Sequence, residues 1–195
     1  MTVIAATKTV APGLLRQAYE AGVMNFGENR VQEAQGKIAE VMSFLNHPPT
    51  WHMIGHLQTN KVKTAVEIFD IIHSIDSLRL AEHVNEHVGR RGFPVLLEVN
   101  IMEESSKSGF SVTEVPTVVE AISRLGNLNI AGLMAIAPLV ADAEEIRPVF
   151  RKLRQLRDSL GLEHLSMGMT DDFEVAIEEE ATMVRIGRAI FGERR

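Results

Sequence analysis

The segment "VIAATKTVAPGLLRQAYEAGVMNF", residues 3–26, decides the fold because it contains a complete strand–helix–strand unit. Its first apolar run, Val3–Thr7, has the β-branched and small residues typical of a strand. An apolar stripe with helical spacing follows at residues 14–19, and Gly22 ends it at a helix C′ position. A second strand-like run, Met24–Phe26, comes next. The segment therefore predicts two parallel strands joined by a helix.

The same alternation continues along the 195 residues. We predict eight strands: Val3–Thr7, Met24–Phe26, Trp51–Ile54, Ile71–Ile75, Val95–Asn100, Ile130–Met134, His164–Met167 and Thr182–Ile186. Helical patterns separate these runs, which argues for a parallel sheet. Eight units favour a closed (β/α)8 TIM-type barrel over an open, doubly wound sheet. Such barrels usually have about 250 residues, so we expect short loops and one domain over residues 1–195.

The composition argues against several classes of protein. No apolar run approaches the roughly 18 residues of a membrane span, and Met1 leads directly into a strand-like run instead of a signal peptide. The chain has no cysteine, which excludes disulfides and thiolate metal sites and fits a reducing compartment. A net charge of -6 and an aromatic content of 5% argue against a nucleic-acid-binding surface. We therefore expect a cytoplasmic protein with a small-molecule ligand.

A lysine stands where the first strand meets the barrel mouth. Chemistry in these barrels lies at the carboxyl ends of the strands. Strand alternation groups Lys8 with Ile4 and Ala6, so if those side chains point inward, Lys8 points into the mouth. Before context is considered, a lysine after a strand is more often simply solvated. Above an apolar core, however, desolvation lowers the pKa of a lysine and makes its amine nucleophilic.

Two glycine-containing turns at the last strands favour an anion site. The stretches are "SMGMT", residues 166–170, and "RIGRAIFG", residues 185–192. Gly187 lets the backbone approach a ligand, and the amides that follow lie at a helix start, where they favour phosphate. The last two βα loops often hold phosphate in these barrels. On spacing alone, ordinary turn glycines explain Gly168 and Gly187 equally well.

Two other patterns favour structural roles. Asp171 and Glu174 have the spacing of a capping box, which we prefer to a pair of catalytic acids. His52 and His56 in "HMIGH" have the spacing of a zinc helix, but the motif lacks the glutamate of a zincin and crosses a strand end. We therefore predict no metal site.

Together, eight ordered motifs resemble the pyridoxal-phosphate homeostasis proteins, which are similar to the barrel domain of bacterial alanine racemase without its second domain. The resemblance extends from Val3 to Gly192. The motifs are "ATKT", "NFGENRVQEA", "WHMIGHLQTNK", "HSIDSLRLA", "VNIMEESSKSGF", "GLMAI", "LSMGMTDDFEVAIEE" and "TMVRIGRAIFG".

The resemblance implies that pyridoxal 5′-phosphate (PLP) is the cofactor. It implies seven binding residues: Lys8, Asn29, Ser166, Thr170, Arg185, Gly187 and Arg188. Lys8 would carry PLP as an aldimine, Arg185 would lie beside the pyridine nitrogen, and Asn29 would lie near the ring. The phosphate would sit on Ser166 and on the backbone at 187–188. The family usually has serine at position 170 and a small hydroxyl residue at position 188, so the Arg188 amide is a firmer expectation than its side chain.

Two functions fit this resemblance. A non-catalytic carrier would hold PLP and deliver it to acceptor PLP enzymes, whereas a racemase would need a second base. A cationic Arg185 disfavours protonation of the pyridine nitrogen and weakens the electron sink, although racemases tolerate that. The resemblance to alanine racemase implies that the second base is a tyrosine from the second domain of a partner subunit. The one tyrosine here, Tyr19, belongs to the apolar face of the first helix, and we expect no second domain to supply another. We favour the carrier. A phosphometabolite-binding or isomerase barrel is a third alternative if Lys8 does not bind the cofactor covalently.

One departure from the family concerns the start of the chain. Family members usually have a helix ahead of strand one, which this sequence lacks. By strand alternation Val3, Ala5, Val184 and Ile186 should point outward at the seam between strands one and eight. We therefore expect either that the chain is a shortened form or that this apolar seam is partly exposed or covered by a neighbouring molecule.

Overall fold

The eight predicted strands form a closed parallel barrel in the computed structural model, which describes residues 1–104, 107–138, 140 and 142–192. Each strand pairs with its sequence neighbours, and β1 pairs with β8 to close the barrel. The (β/α)8 prediction is confirmed. The strands are β1 Thr2–Ala6, β2 Asn25–Glu28, β3 Thr50–Met53, β4 Ile71–Ile75, β5 Phe93–Glu98, β6 Leu128–Met134, β7 His164–Ser166 and β8 Met183–Ile186.

Helices alternate with these strands and cover the outside of the barrel. They are α1 Pro12–Glu20, α2 Val31–Met42, α3 Val62–Ile68, α4 Leu78–His87, α5 Val115–Ser123, α6 Arg147–Ser159, α7 Phe173–Glu178 and α8 Arg188–Phe191. Short 3-10 turns precede α3 and α6, at Thr59–Lys61 and Ala143–Ile146. Within the described part of the chain, no helix has the length and apolar character needed to cross a bilayer.

Local sequence signals explain several helix ends. Pro12 occupies the first turn of α1, where its missing N–H costs nothing. Gly22 follows α1 with a φ of 99°, a left-handed conformation that favours glycine. The Ser77 hydroxyl caps α4 by accepting a hydrogen bond from the Leu80 amide at 3.3 Å. These signals keep the connections short, as a barrel of this chain length requires.

Two apolar clusters lie on opposite sides of the sheet. Inside the barrel, a small cluster contains Ile4, Ile71, Leu96, Met134 and Met183. A much larger cluster, to which Ala5 and Leu15 belong, fills the space between the sheet and the helices. Ile4 and Ala5 therefore face opposite sides, as strand alternation predicts. The same alternation carries Ala6 and then the following turn towards the mouth.

The expectation of an uncovered β1–β8 seam is wrong for three of its four side chains. Ala5, Val184 and Ile186 are buried at 0%, 1% and 7% exposure, whereas Val3 is 47% exposed. Helix α7 packs against β8, and Phe191 of α8 packs against the same outer core. These short helices cover more of the seam than their lengths suggest. Of the four seam side chains, Val3 is the exposed one.

Candidate functional site

Lys8 lies two residues beyond β1, in the turn that leads to α1, and it is half-buried. It lines a cleft of about 520 Å³ together with Gly187 and Arg188, which we call the Lys8 cleft. Because β1 and β8 are paired, the turns at their carboxyl ends meet at one edge of the mouth. The structure thus brings together three of the seven predicted site residues.

The turn that carries Lys8 is held on both sides. The Lys37 ammonium group on α2 donates to the Thr7 carbonyl at 2.7 Å and to Glu33 Oε1 at 3.0 Å. The Thr9 amide donates to the same Glu33 oxygen at 2.6 Å. Thr9 has a φ of 64°, an uncommon conformation for a residue other than glycine, so the turn depends on such anchoring. The backbone flanking Lys8 is therefore fixed by side chains from α2.

A buried carboxylate completes this arrangement. Glu28, at the end of β2, is fully buried and accepts hydrogen bonds at 2.7 Å from Lys37 and from the Thr7 hydroxyl. Burial raises the pKa of Glu28, and these two hydrogen bonds only partly oppose that. Burial also acts to raise the pKa of Glu33, but the Thr9 amide and Lys37 outweigh it and leave that pKa below its usual value. We call Thr7, Glu28, Glu33 and Lys37 the turn network.

Arg185 and Ser166 lie inside the barrel and contact each other. The Arg185 guanidinium donates to the Ser166 carbonyl at 2.7 Å and to its hydroxyl at 2.8 Å, and it also donates to the Ala135 carbonyl at 2.9 Å. Burial lowers the pKa of Arg185 to about 10, with Asp172 and Glu98 acting in the opposite direction. Arg185 therefore stays cationic at neutral pH, with a fixed orientation.

A chain of hydrogen bonds continues from Ser166 across the barrel interior. The Ser166 hydroxyl is 2.8 Å from His73 Nδ1, His73 Nε2 is 2.9 Å from His52 Nδ1, and His52 Nε2 is 3.1 Å from Asn25 Oδ1. Burial lowers the pKa of His52 to about 4 and that of His73 well below its usual value. Both imidazoles are neutral at pH 7. We call Asn25, His52, His73 and Ser166 the barrel chain.

The two glycine turns differ in what they require of the backbone. Gly168 has a φ of 90°, and a Cβ there would lie 2.6 Å from the Cβ of Ala176, so both conformation and packing require glycine. At Gly187, φ is -115° and a Cβ would meet nothing closer than the Ala6 oxygen at 3.6 Å. Gly187 thus leaves room at the Lys8 cleft, where the first amides of α8 have no intrahelical partner.

The acidic residues after the first glycine turn do not form the predicted capping box. Asp172, not Asp171, is the N-cap residue of α7, and its carboxylate accepts a hydrogen bond from the Met169 amide at 2.6 Å. Asp171 forms an ion pair with Arg188. The acids therefore shape the β7–α7 turn and link it to the β8–α8 turn. The error arose because Asp171–Glu174 spacing does not reveal which residue begins the helix.

The remaining predicted site residues lie at other parts of the mouth. Asn29 follows β2 and lines a separate cleft of about 730 Å³ with Gly55 and His56. Thr170 is half-buried in the β7–α7 turn. The structure thus places Lys8 with the β8 turn and Ser166 with Arg185, while Asn29 and Thr170 belong to neither contact set.

Sequence reasoning assigned no role to three buried ionisable groups near the mouth, which are Glu28, Lys37 and Glu98. Lys37 was hidden on α2, although its i, i+4 spacing from Glu33 is a usable signal. The contact between Lys37 and Glu28 carries no such periodicity. Glu98 ends β5 with 7% exposure, and its pKa is raised by burial and then by nearby Asp76. An acid at a strand end after an apolar run was the available signal for it.

The histidines that suggested a zinc motif have separate partners. His52 bonds within the barrel chain, whereas His56 Nδ1 lies 3.0 Å from Asp76 Oδ2. Elsewhere among the described residues, His83, Glu86 and His87 on α4 place possible ligand atoms near one another on a largely exposed face. That spacing alone does not establish a metal site, so the absence of a metal stays a prediction.

Comparisons with known proteins agree with this fold. The family model for the alanine racemase N-terminal domain matches residues 2–195. A pyridoxal phosphate homeostasis protein of Aquifex aeolicus is 44% identical, with 98% of this chain and 86% of the relative covered. One of Pseudomonas aeruginosa is 43% identical, with 98% and 84% covered.

Solved structures of related proteins have the same fold. PipY of Synechococcus elongatus PCC7942, in its form with PLP bound, has a TM-score of 0.89 and 37% identity, with 98% of this chain and 92% of PipY covered. An alanine racemase of Clostridium difficile 630 has a TM-score of 0.75 at 13% identity, covering 100% of this chain and 53% of that one, which supports the fold alone. The fold is therefore that of an alanine racemase-type barrel. Within that class, the chain belongs to the pyridoxal phosphate homeostasis protein family.

Proposed function

We propose that this chain binds PLP at the barrel mouth, with Lys8 as the point of covalent attachment, and that it holds and delivers the cofactor without catalysing a reaction of its own. The observation that carries the proposal is the Lys8 cleft, where a half-buried lysine and the Gly187–Arg188 turn face the same space. An amine and phosphate-binding amides are the two groups that a phosphorylated aldehyde needs. The PLP-bound PipY structure, 37% identical, supports the same ligand.

The chain's own groups fit the cofactor in distinct ways. PLP supplies an aldehyde for imine formation and a pyridine ring that can accept electrons. The turn network holds the backbone on either side of Lys8, so its side chain starts from a fixed point beside the cleft. Arg185 donates to carbonyl and hydroxyl oxygens and stays cationic. Beside a pyridine nitrogen, this cation would disfavour protonation of the nitrogen and so weaken electron withdrawal by the ring.

A racemase is the alternative, and one residue argues against it. Tyr19 bonds through its hydroxyl to the backbone of His47 at 3.2 Å, away from the Lys8 cleft. The hydroxyl of this tyrosine is thus bonded elsewhere. Because the sequence has one tyrosine, no tyrosine is left to act as the second base of a racemase. The curated relatives carry the homeostasis name and not a racemase name. Alanine and serine should therefore not be racemised at the 1–10³ per second typical of enzymes, which a chiral assay measures.

We extend the proposal to the setting of the protein. Residues 1–195 act as one cofactor-binding domain in the cytoplasm, the recipients are apo-enzymes that require PLP, and nucleic acid is not a partner. The net charge of -6 and the absence of cysteine support this setting.

Substitution of Lys8 tests the attachment directly. In Lys8→Ala, the visible absorbance of bound PLP should disappear and borohydride should no longer fix the cofactor to the protein, while the melting temperature should change little. Lys61→Ala, in the Asn29 cleft, and Lys107→Ala, which removes an ion pair with Glu104, are matched controls that should keep both signals. Retention of the visible band in Lys8→Ala would show that another lysine carries the cofactor.

A further inference from the structure

One buried carboxylate at the mouth has no hydrogen-bond donor. Glu98 ends β5, and strand alternation from Leu96, which belongs to the cluster inside the barrel, directs its side chain into the mouth. It is 7% exposed, and burial and nearby charges shift its pKa, but no described group donates a hydrogen bond to its carboxylate. The three other similarly buried acids among the described residues each have a donor within 2.8 Å: Glu28, Asp172 and Glu179.

The cations nearest to Glu98 are bound to other acceptors. Arg185 acts on it by charge alone, because the guanidinium donates to other oxygens inside the barrel. His56 also acts by charge, and its Nδ1 lies 3.0 Å from Asp76 Oδ2. Burial raises the pKa of Glu98, and the charge of Asp76 adds to that rise. The ionised carboxylate of Glu98 therefore lacks a counter-ion at hydrogen-bonding distance and carries a desolvation cost.

Glu98 lines a cleft of about 230 Å³ at the carboxyl ends of β5 and β6, which we call the Glu98 cleft. Its lining shares no residue with that of the Lys8 cleft. The apolar residues of the lining include Ile101, Met102, Ala135, Ile136 and Val149. The lysine of the lining, Lys107, donates to Glu104 Oε1 at 2.7 Å and is neutralised by that ion pair. The described lining therefore has one carboxylate in excess, surrounded by apolar side chains.

The backbone that carries Glu98 is held in place by its neighbours. The Phe110 amide donates to the Glu98 carbonyl at 2.9 Å, and the Asn100 amide donates to the Phe110 carbonyl at 2.9 Å. The Asn100 side chain donates to the Glu104 carbonyl at 2.8 Å and accepts from the Glu104 amide at 3.2 Å. The polar groups of Asn100 thus bond within the loop after β5. Among the described residues of this cleft, Glu98 is the charged side chain left without an ion pair.

We propose that the Glu98 cleft binds a small primary amine as its ammonium ion, with the nitrogen on the Glu98 carboxylate and the alkyl chain against Met102 and Ile136. An ammonium group supplies three donors and a positive charge, which are what this carboxylate lacks. The cleft is smaller than the roughly 300–1,000 Å³ of pockets for drug-sized ligands, so the amine is short. The inference goes beyond the proposed function and does not depend on PLP at Lys8.

The same charges disfavour amino acids. The carboxylate of an amino acid would enter a cleft that already holds Glu98 and Glu104, and the Lys107 ammonium group is already paired with Glu104. Like charges that are brought together in a partly buried site repel each other. We therefore expect n-butylamine to bind more tightly than 4-aminobutyrate, which has the same amine and chain length and an added carboxylate.

Methyl NMR of the protein without PLP tests the site. During titration with n-butylammonium chloride, methyl-labelled isoleucine and methionine should show saturable shifts at Ile136 and Met102, which the variants I136V and M102L assign. The methyls of Ile177 on α7 and of Met24 should not shift. At about pH 8 the amine stays protonated, and more of Glu98 is ionised than at neutral pH. Potassium chloride at equal concentration should not cause these shifts.

Glu98→Gln keeps the size of the side chain and removes its charge. The affinity for n-butylammonium should fall about tenfold or more, the loss expected for one charge-assisted hydrogen bond. Glu103→Gln is the matched control, because it removes the same charge from an exposed neighbour outside the lining. It should stay within about twofold of the wild type, since salt screens a more distant charge.

Wild-type affinity in Glu98→Gln would overturn the inference. Equal shifts with potassium chloride would also overturn it, because they would show a general cation effect. If Glu98→Gln does not fold, the wild-type titration decides: the absence of saturable shifts at Ile136 and Met102 would show that the cleft takes no amine.

Discussion

Two buried polar networks lie next to the mouth, and each pairs its buried polar groups in a different way. The turn network lies between the sheet and α2 and is ionic, with one lysine and two carboxylates. The barrel chain lies inside the sheet and is neutral, with two imidazoles, a hydroxyl and an amide. The first holds the backbone on both sides of Lys8. The second joins neutral groups by hydrogen bonds next to Arg185.

Access to solvent explains this difference. The Glu33 side chain in the turn network is 30% exposed, so part of its charge is hydrated. His73 and Ser166 in the barrel chain have no exposed surface, and an unpaired charge there would carry the full desolvation cost. The charges of the turn network are therefore paired and partly hydrated, whereas the four members of the barrel chain are neutral groups beside the buried Arg185. Different perturbations should break the two networks.

Removal of the lysine should have the largest effect. Lys37→Met leaves Glu28 buried without its cation, and breaking a buried pair in this way typically costs about 3–5 kcal/mol of the free energy of unfolding. Chemical denaturation measures the loss. Lys63→Met on the exposed face of α3 is the control and should stay within about 0.5 kcal/mol of the wild type. A loss below about 1 kcal/mol in Lys37→Met would mean that Glu28 is already protonated in the folded protein.

Acid should break the barrel chain before the turn network. The pKa of His52 is about 4 in the folded protein against 6.5 for an ordinary histidine, so the unfolded chain binds more protons in between. Stability is therefore complete above pH 6.5 and falls as the pH drops towards 4, by about 3 kcal/mol from His52 alone. His73 shifts in the same direction.

The turn network should contribute little to that acid loss. The pKa of Glu28 is raised, which favours the folded state as the pH falls, and the pKa of Glu33 is lowered, which has the opposite effect. Unfolding free energies at several pH values between 7 and 4.5 measure the slope, and His52→Gln should flatten it. An equally steep slope in His52→Gln would assign the acid sensitivity to other groups.

The two neighbouring residues of the β8 turn should differ in their effect on PLP affinity. Gly187→Val places a bulky side chain where the cleft needs open backbone, and the loss of one charge-assisted contact costs about 1.5–3 kcal/mol. Arg188→Ala should cost less because its guanidinium pairs with Asp171. Fluorescence or absorbance titration with PLP compares them. A larger loss in Arg188→Ala would show that the guanidinium contacts the phosphate.

The smallest effect should come from the exposed end of the turn network. Glu33→Ala removes the acceptor for the Thr9 amide and should cost about 1 kcal/mol of stability, whereas Glu33→Gln keeps an acceptor oxygen and should cost less. The rate of PLP attachment should fall in the same order. Equal rates in both variants would show that the Thr9 anchor does not position Lys8.

The sequence predicts one part of this site well and another poorly, for a physical reason. Alternation along β1 predicts the side of the sheet for Ile4 and Ala5, and it carries Lys8 to the mouth. It contains no information on partners across the barrel, so the contact between His73 and Ser166, 93 positions apart, could not be predicted. Periodicity fixes which way a side chain points, and only the closed barrel decides what it meets.

The position of the Lys8 cleft in the chain has a consequence for synthesis. Its two walls come from the turn after β1 and the turn after β8, which are nearly the full length of the chain apart. A ribosome releases the first wall well before the second, so a nascent chain carries Lys8 long before it has the complete cleft. PLP that requires both walls binds the closed barrel alone and stabilises it by mass action. Cofactor capture would then report that a newly made chain has finished folding.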